Sequence, residues 1–185
     1  MNKRGFTLVE LVVGIVVLAI AMMIMNTMLI SQSKDALEPL YRLRASQLGQ
    51  SIMHNVLSRS YDEKSDHNGG LYRCGEIWDI LDPPTLVACT SSSNYGPDGG
   101  IETSHPFFND VDDFITSGFV NATNYGNVVG DKLGGDDYAT QYANYAVNIE
   151  VSLDNSQGFN MKKITLTIKT PSNEEIQFSA LKGNY

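Results

Sequence analysis

The feature that most constrains this chain is an uncharged apolar run near its start. No Asp, Glu, Lys or Arg occurs between Leu11 and Ser33, and aliphatic residues and methionines dominate the run. A helix over this run would reach roughly 34 Å at about 1.5 Å per residue, which is enough to cross the hydrocarbon core of a bilayer. The sequence therefore predicts a membrane-spanning helix at residues 11–33.

A short basic leader precedes the apolar run and ends at Gly5. A secretory signal peptide has its cleavage site after its apolar core, whereas Gly5 lies before it. Cleavage after Gly5 would therefore leave the helix on the mature protein, with Phe6 as its first residue. Because basic residues favour the cytoplasmic side, Lys3 and Arg4 place the leader in the cytoplasm and the following domain outside.

Glu10 is an acidic residue at the start of this helix. A carboxylate costs about 2.5 to 3.5 kcal/mol at the centre of a membrane helix and less near its ends, so it calls for a partner. Cleavage after Gly5 would create one, the amino group of Phe6 on a neighbouring copy, and the pair would set the register of assembly. The alternative is a Glu10 that lies at the headgroup level, where the helix macrodipole favours it.

The junction reads Gly5-Phe6-Thr7-Leu8-Val9-Glu10 and resembles the processing site of type IV pilins and of type II secretion pseudopilins. The resemblance implies that a prepilin peptidase cleaves after Gly5 and methylates Phe6, and that Glu10 is the assembly glutamate. It also implies a long N-terminal helix packed on an antiparallel sheet. The implied partners are the peptidase, an inner-membrane assembly platform and the major and minor pilins of the same system.

Residues 59–75 resemble the minor pilins of the mannose-sensitive haemagglutinin (MSHA) type IV pilus. This resemblance implies a subunit of a surface pilus, at its initiation or tip, with a role in cell adhesion. Two alternatives stay open: a pseudopilin of a periplasmic pseudopilus and a sugar-binding tip adhesin. Aromatic residues that could stack on sugar rings, but that equally suit a core, are Trp78, Tyr95, Tyr125, Tyr138 and Tyr142.

The expected layout is a cleaved leader at 1–5, a transmembrane and assembly helix at 6–33 and one globular domain at 34–185. The domain includes an amphipathic half of the helix. The formal net charge is −8, and no basic cluster follows the leader. Because phosphate neutralisation needs clustered Lys and Arg, the composition argues against a nucleic-acid partner.

The chain has two cysteines, Cys74 and Cys89. In a domain exported to an oxidising compartment, such a pair favours a disulfide bond. Two buried free thiols remain the alternative, since a sequence does not show whether the residues are close.

Apolar residues recur at helical spacing after the membrane segment and predict a stripe that packs on a sheet: Leu37, Tyr41, Ala45, Leu48, Ile52 and Val56. We therefore expect one helix from Phe6 to about Ser60. Pro39 should kink it, the alternative being a break into two helices. A short helix or a turn is predicted at Glu76–Leu81, carrying Trp78 into the core, and a helical piece is predicted at Phe107–Ser117.

The C-terminal part has strand periodicity. Apolar and polar residues alternate over 145–153, 164–168 and 176–179, with short connections between them. Three consecutive strands predict an antiparallel meander covered by the helical stripe. The predicted fold class is therefore α+β and type IV pilin-like.

No motif for phosphate binding, zinc or nucleophilic catalysis occurs, and His54, His67 and His105 lack ligand spacing. We expect no enzyme activity, no catalytic residues, no metal site and no cofactor. Calcium remains an alternative, because acidic residues cluster in three places: Asp62-Glu63 to Asp66-His67-Asn68-Gly69, Asp110 with Asp112-Asp113, and Asp131 with Asp136-Asp137. The other interpretation is solvated acidic loops.

Overall fold

The computed structural model of the chain describes residues 7–66, 72–102, 104–125, 141–155 and 160–184, and for 30–36 the backbone alone. The chain divides into two compact units, Met1–Tyr41 and Arg42–Tyr185. The first contains the apolar segment. The second contains the sheet and the core.

A single helix of 50 residues, α1, spans Leu8–Leu57. Thr7 precedes it, and the Thr7 hydroxyl oxygen accepts a hydrogen bond from the Glu10 backbone N–H at 3.4 Å, as an N-terminal capping residue does. Pro39 lies within the helix and does not end it. The predicted long helix is confirmed over the described residues, whereas a kink at Pro39 stays a prediction.

The apolar stripe of α1 is buried from Ala45 onward. Ala45, Leu48, Ile52 and Val56 have no exposed surface, whereas Leu37 is 47% exposed. The prediction was therefore wrong at Leu37, which lies in the unit of the apolar segment and outside the unit whose core the stripe joins. Spacing alone could not show where the domain's core begins.

A four-stranded antiparallel sheet provides the other half of the core. Its order is β3-β4-β5-β6, with β3 at Val120–Asn121, β4 at Ala146–Asp154, β5 at Met161–Lys169 and β6 at Glu175–Gly183. The last three strands confirm the predicted meander. The two-residue β3 was missed because it is too short to show an alternating pattern.

The domain half of α1 packs on this sheet through Gly49. A Cβ atom at position 49 would collide with the Phe178 ring on β6, so the glycine allows the helix and the strand to approach closely. The Lys182 ammonium donates a hydrogen bond to the carbonyl of Leu57 at 3.0 Å, which satisfies the C-terminal end of α1. The predicted α+β, pilin-like fold class is confirmed.

Residues Glu76–Trp78 form strand β1 rather than the predicted helix or turn. They pair antiparallel with β2 at Thr85–Val87, and the Gly75 N–H extends the ladder to the Val87 carbonyl at 2.6 Å. Trp78 is half-buried rather than in the core, and its indole N–H donates to the Arg73 carbonyl at 3.0 Å. The disulfide bond between Cys74 and Cys89, which flank the two strands, favours an extended hairpin over a helix.

The predicted helix at Phe107–Ser117 is also wrong. The segment forms two short 3-10 turns, His105–Phe107 and Asp112–Phe114. The Asp110 carboxylate accepts hydrogen bonds from the backbone N–H groups of Asp112 at 2.8 Å and Asp113 at 3.2 Å. Side-chain bonds of this kind compete with the helical ladder, which explains why the segment turns instead of continuing.

Candidate functional site

The N-terminal part of α1 presents apolar side chains on all sides. Leu8–Leu29 has a mean hydropathy of 2.8 over its most apolar window, none of it buried, and passes the length and composition test for a membrane span. Leu8 is 80% exposed and Val12, among the least exposed large side chains here, is still 49% exposed. Such a helix needs either lipid or other helices around it.

Glu10 is the only charged residue of this segment. It lies on one face of α1 with Gly14 and Leu18, and these residues line a shallow groove. A Cβ atom added at Gly14 would meet no atom within 4 Å, so the groove is open to an approaching helix. Gly5 and Phe6, the predicted processing residues, lie outside the described residues.

Cys74 and Cys89 form the predicted disulfide bond, which joins the two arms of the β1–β2 hairpin. Cys74 is buried, and its backbone is held on both sides. The Cys74 N–H donates to the Ser65 hydroxyl oxygen at 3.2 Å, and the Asn184 side-chain amide donates to the Cys74 carbonyl at 2.8 Å. The disulfide therefore also anchors the end of the chain that follows β6.

A buried charge cluster lies beside the disulfide. We call it the Lys162 cluster and define it as Lys162, Asp62, Asp110, Asp112 and Asp113, all buried. The Lys162 ammonium donates to Asp62 Oδ2 at 3.2 Å and to Asp112 Oδ1. The side chains of Lys162 and Asp62 have no exposed surface and that of Asp112 has 3%, so these charges are removed from water.

Two aromatic rings enclose the ammonium. Lys162 Nζ lies 4.8 Å from the ring centroid of Tyr61 and 4.8 Å from that of Tyr95, within the range of cation–π attraction. Burial, followed by the charges of Asp112 and Asp62, raises the pKa of Tyr95 to about 12. Tyr95 therefore stays neutral at physiological pH and contributes its ring rather than a charge.

Each member of the cluster reaches it from a different element. Alternation along β5 places Lys162 on the same face as Ile164 and Leu166, which is the core face. Asp62 follows α1, and its carboxylate also accepts hydrogen bonds from the Thr90 N–H at 3.0 Å and the Thr90 hydroxyl at 3.1 Å. Asp112 begins a 3-10 turn. The cluster thus connects the helix, the sheet, the disulfide hairpin and the turn.

Opposing influences set the pKa values of the cluster. Burial, with the charges of Asp112 and Asp113, raises the pKa of Asp110 to about 8. Burial also raises the pKa of Asp112, against the effect of its hydrogen bond with Lys162. Burial alone lowers the pKa of Lys162, but its bond to Asp112 and the neighbouring carboxylates outweigh that effect and raise it.

These contacts bear on the calcium alternative and on the solvated-loop interpretation. Asp62, Asp110, Asp112 and Asp113 are buried, so they are not solvated. Their oxygens bind Lys162 and backbone N–H groups, which are donors that take the place a calcium ion would need. Glu63 and Asp66, the other described acidic residues of the first stretch, are half-buried. The remaining predicted ligands lie outside the described residues: His67, Asn68, Gly69, Asp131, Asp136 and Asp137.

A grouping of Asp62 with Cys74 and Cys89, whose ligand atoms lie within 4.8 Å of one another, is not a metal site either. The two sulfurs are bonded to each other, and a metal binds the thiolate form.

Lys162 was not identified from the sequence. The signal was available, since a lysine on the core face of an alternating strand requires buried carboxylates.

The aromatic residues considered for sugar stacking mostly serve the fold. Tyr125 and Tyr142 are buried, and Tyr95 covers Lys162. Trp78 packs against Tyr72 with ring centroids 5.4 Å apart, and Tyr138 lies outside the described residues.

The two histidines that the structure describes lie in different elements. His105 is half-buried and packs on the Tyr125 ring at 4.0 Å between centroids, and burial lowers its pKa. His54 is exposed near the end of α1. His67 lies outside the described residues.

Residues 1–26 match the family described as the prokaryotic N-terminal methylation motif. No curated protein and no solved structure matches the chain. The matched motif and the long helix packed on an antiparallel sheet are similar to those of type IV pilins and pseudopilins, which are structural proteins. The match is consistent with an inner-membrane location before assembly into a filament.

Proposed function

We propose that this protein is a minor type IV pilin, cleaved between Gly5 and Phe6 and incorporated into a surface pilus as an initiating or tip subunit. The observation that carries the proposal is the exposed apolar segment Leu8–Leu29 with its single acidic residue. A methylation motif over residues 1–26 supports the processing step.

The finer assignment rests on residues 59–75 and their likeness to minor pilin D of the MSHA pilus. The described parts of this stretch contribute Cys74 to the disulfide and Asp62 to the Lys162 cluster, and the Tyr61 ring packs on Lys162. They would keep the displayed domain folded outside the cell, with residues 6–33 in the membrane before assembly and 34–185 in the periplasm.

Glu10 supplies the mechanism of assembly. In the membrane or in a filament the carboxylate is surrounded by apolar side chains, and it needs a cation to offset its desolvation. The amino group created at Phe6 of a neighbouring subunit is that cation. The groove at Gly14, next to Glu10 on the same face, would allow the neighbouring helix to approach closely.

The test is Glu10→Gln, which keeps the shape of the side chain and removes its charge. The variant should still insert and still be cleaved, because loss of a charge lowers the cost of insertion. Its amount in sheared filaments and the number of filaments per cell should fall. Glu76→Gln is the matched control, since it removes an exposed carboxylate from strand β1 and should change neither quantity.

Wild-type filament content and filament number for Glu10→Gln would contradict the assembly role. Localisation separates the alternatives: a pseudopilin would stay in the envelope and be missing from sheared filaments, and its deletion would impair type II secretion. A sugar-binding tip would give saturable glycan binding by the assembled pilus, lost when this subunit is deleted.

A further inference from the structure

Lys162 and Asp112 are in contact within a buried cluster of charged groups and aromatic rings. We propose that they form an intramolecular amide bond, from Lys162 Nζ to the side-chain Cγ of Asp112, with loss of one water molecule. The bond would join strand β5 to the 3-10 turn at Asp112–Phe114, across 50 residues of sequence. The inference is independent of the assembly role proposed above.

The geometry holds the amine against the carboxyl group. Lys162 Nζ is in direct contact with Asp112 Oδ1, and Asp62 and the rings of Tyr61 and Tyr95 restrict it from other sides. Because both groups are fixed in the fold, their effective concentration greatly exceeds that of free reactants. The near-complete burial of the site also keeps out the water that would favour hydrolysis.

Two neighbouring carboxyl groups supply the proton transfers. Because the pKa of Lys162 is raised, the free amine forms only transiently, when Asp62 Oδ2, 3.2 Å from Lys162 Nζ, accepts a proton from the ammonium. The side chain of Asp110 is hydrogen-bonded to that of Asp112, and its pKa of about 8 means that it carries a proton at neutral pH. That proton polarises the Asp112 carboxyl group towards attack and can pass to the leaving oxygen.

The reaction balances without an oxidant, a reductant or a co-reactant. The Nζ–Cγ bond forms and one Cγ–Oδ bond of Asp112 breaks. The ammonium gives up two protons, which leave with the departing oxygen as water, and keeps the third as the amide N–H. Asp62 and Asp110 return to their starting protonation states. One positive and one negative buried charge disappear together, so the net charge of the protein is unchanged.

The Lys162–Asp112 amide would be a second covalent cross-link close to the disulfide. Asp62, which contacts Lys162, also binds the backbone of Thr90, the residue after Cys89. The amide would thus fix the central strand β5 to a turn, while the disulfide fixes the hairpin, and both links would resist pulling forces on a displayed domain.

The experiment is intact-mass measurement of the full-length protein, purified in detergent, with its disulfide reduced and alkylated. We expect a mass lower than the processed sequence by one water molecule. Tryptic digestion should then give a branched peptide that joins the segments containing Asp112 and Lys162, and trypsin should fail to cleave after Lys162.

Three variants make the result specific. Lys162→Met should restore the missing water, whereas Lys163→Met, which changes the exposed neighbour on β5, should still lack it. Asp110→Ala should lower the linked fraction, and an unchanged fraction would overturn the role of Asp110. A wild-type protein of full mass would overturn the proposal, and so would a water loss that persists in Lys162→Met, because dehydration would then be elsewhere.

Discussion

Lys162→Met is the substitution that most directly probes how the domain is held together. It keeps an apolar side chain of similar length but leaves the carboxylates of Asp62 and Asp112 without their cation, with 0% and 3% exposure. Breaking a buried ion pair by removing one partner costs about 3 to 5 kcal/mol. That is a large share of the roughly 5 to 15 kcal/mol by which a domain is stable.

The assay is urea unfolding of the full chain in detergent, followed by the fluorescence of Trp78, the only tryptophan. With a slope of about 2 kcal/mol per M, the expected loss moves the midpoint down by roughly 2 M. Lys163→Met is the matched control on the same strand, and it should stay within about 0.5 kcal/mol of wild type. In molecules that carry the Lys162–Asp112 amide this ion pair is absent, and the loss at position 162 comes from the cross-link that is removed and from the Asp112 carboxylate that is left buried without a partner.

A second substitution tests the cause. Adding Asp112→Asn to Lys162→Met removes one of the stranded charges, so the double variant should be more stable than the sum of the two single losses predicts. If Lys162→Met were as mild as Lys163→Met, or if the two losses were simply additive, the cluster would not be a coupled buried ion network.

Two further predictions concern the disulfide and pH. Replacing both Cys74 and Cys89 by alanine should lower the free energy of unfolding by about 3 kcal/mol for a sequence separation of 15, measured by urea unfolding of the unreduced proteins, and an unchanged midpoint would contradict it. Because the pKa of Asp110 is raised from its usual value near 3.8 to about 8, its contribution to stability is fully present below pH 3.8 and is lost as the pH rises to 8. Asp110→Asn should therefore flatten the fall in wild-type stability between pH 5 and about 8, and parallel curves for the two proteins would show that Asp110 ionises normally.

Periodicity predicted the regular elements well because each carries a repeated signal. The alternation over 145–153 and 164–168 gave two strands, and the three-to-four spacing gave the stripe from Ala45 to Val56. The two wrong helical predictions, at Glu76–Leu81 and Phe107–Ser117, lie where local side-chain bonds and a disulfide determine the backbone. In the second segment the Asp110 carboxylate binds N–H groups that a helix would leave to its own ladder.

The candidate site was predicted in part. The Cys74–Cys89 bond, inferred from the compartment that the N-terminal motif implies, is confirmed. The roles of Gly5, Phe6 and Glu10 come from that local motif and stay predictions. The Lys162 cluster joins residues that are 100 and 50 positions apart, and only the folded chain brings them together. Its one local signal is Lys162 on the core face of β5. The acidic residues that pair with Lys162 cannot be distinguished by sequence from the acidic residues of solvated loops.

The central claim is that the N-terminal segment is processed for filament assembly, and the most direct test is mass spectrometry of the N-terminus of protein recovered from sheared surface filaments. We expect a chain that lacks residues 1–5 and begins with N-methylated Phe6. Assembled protein that retains Met1, or that begins with an unmodified residue other than Phe6, would contradict it.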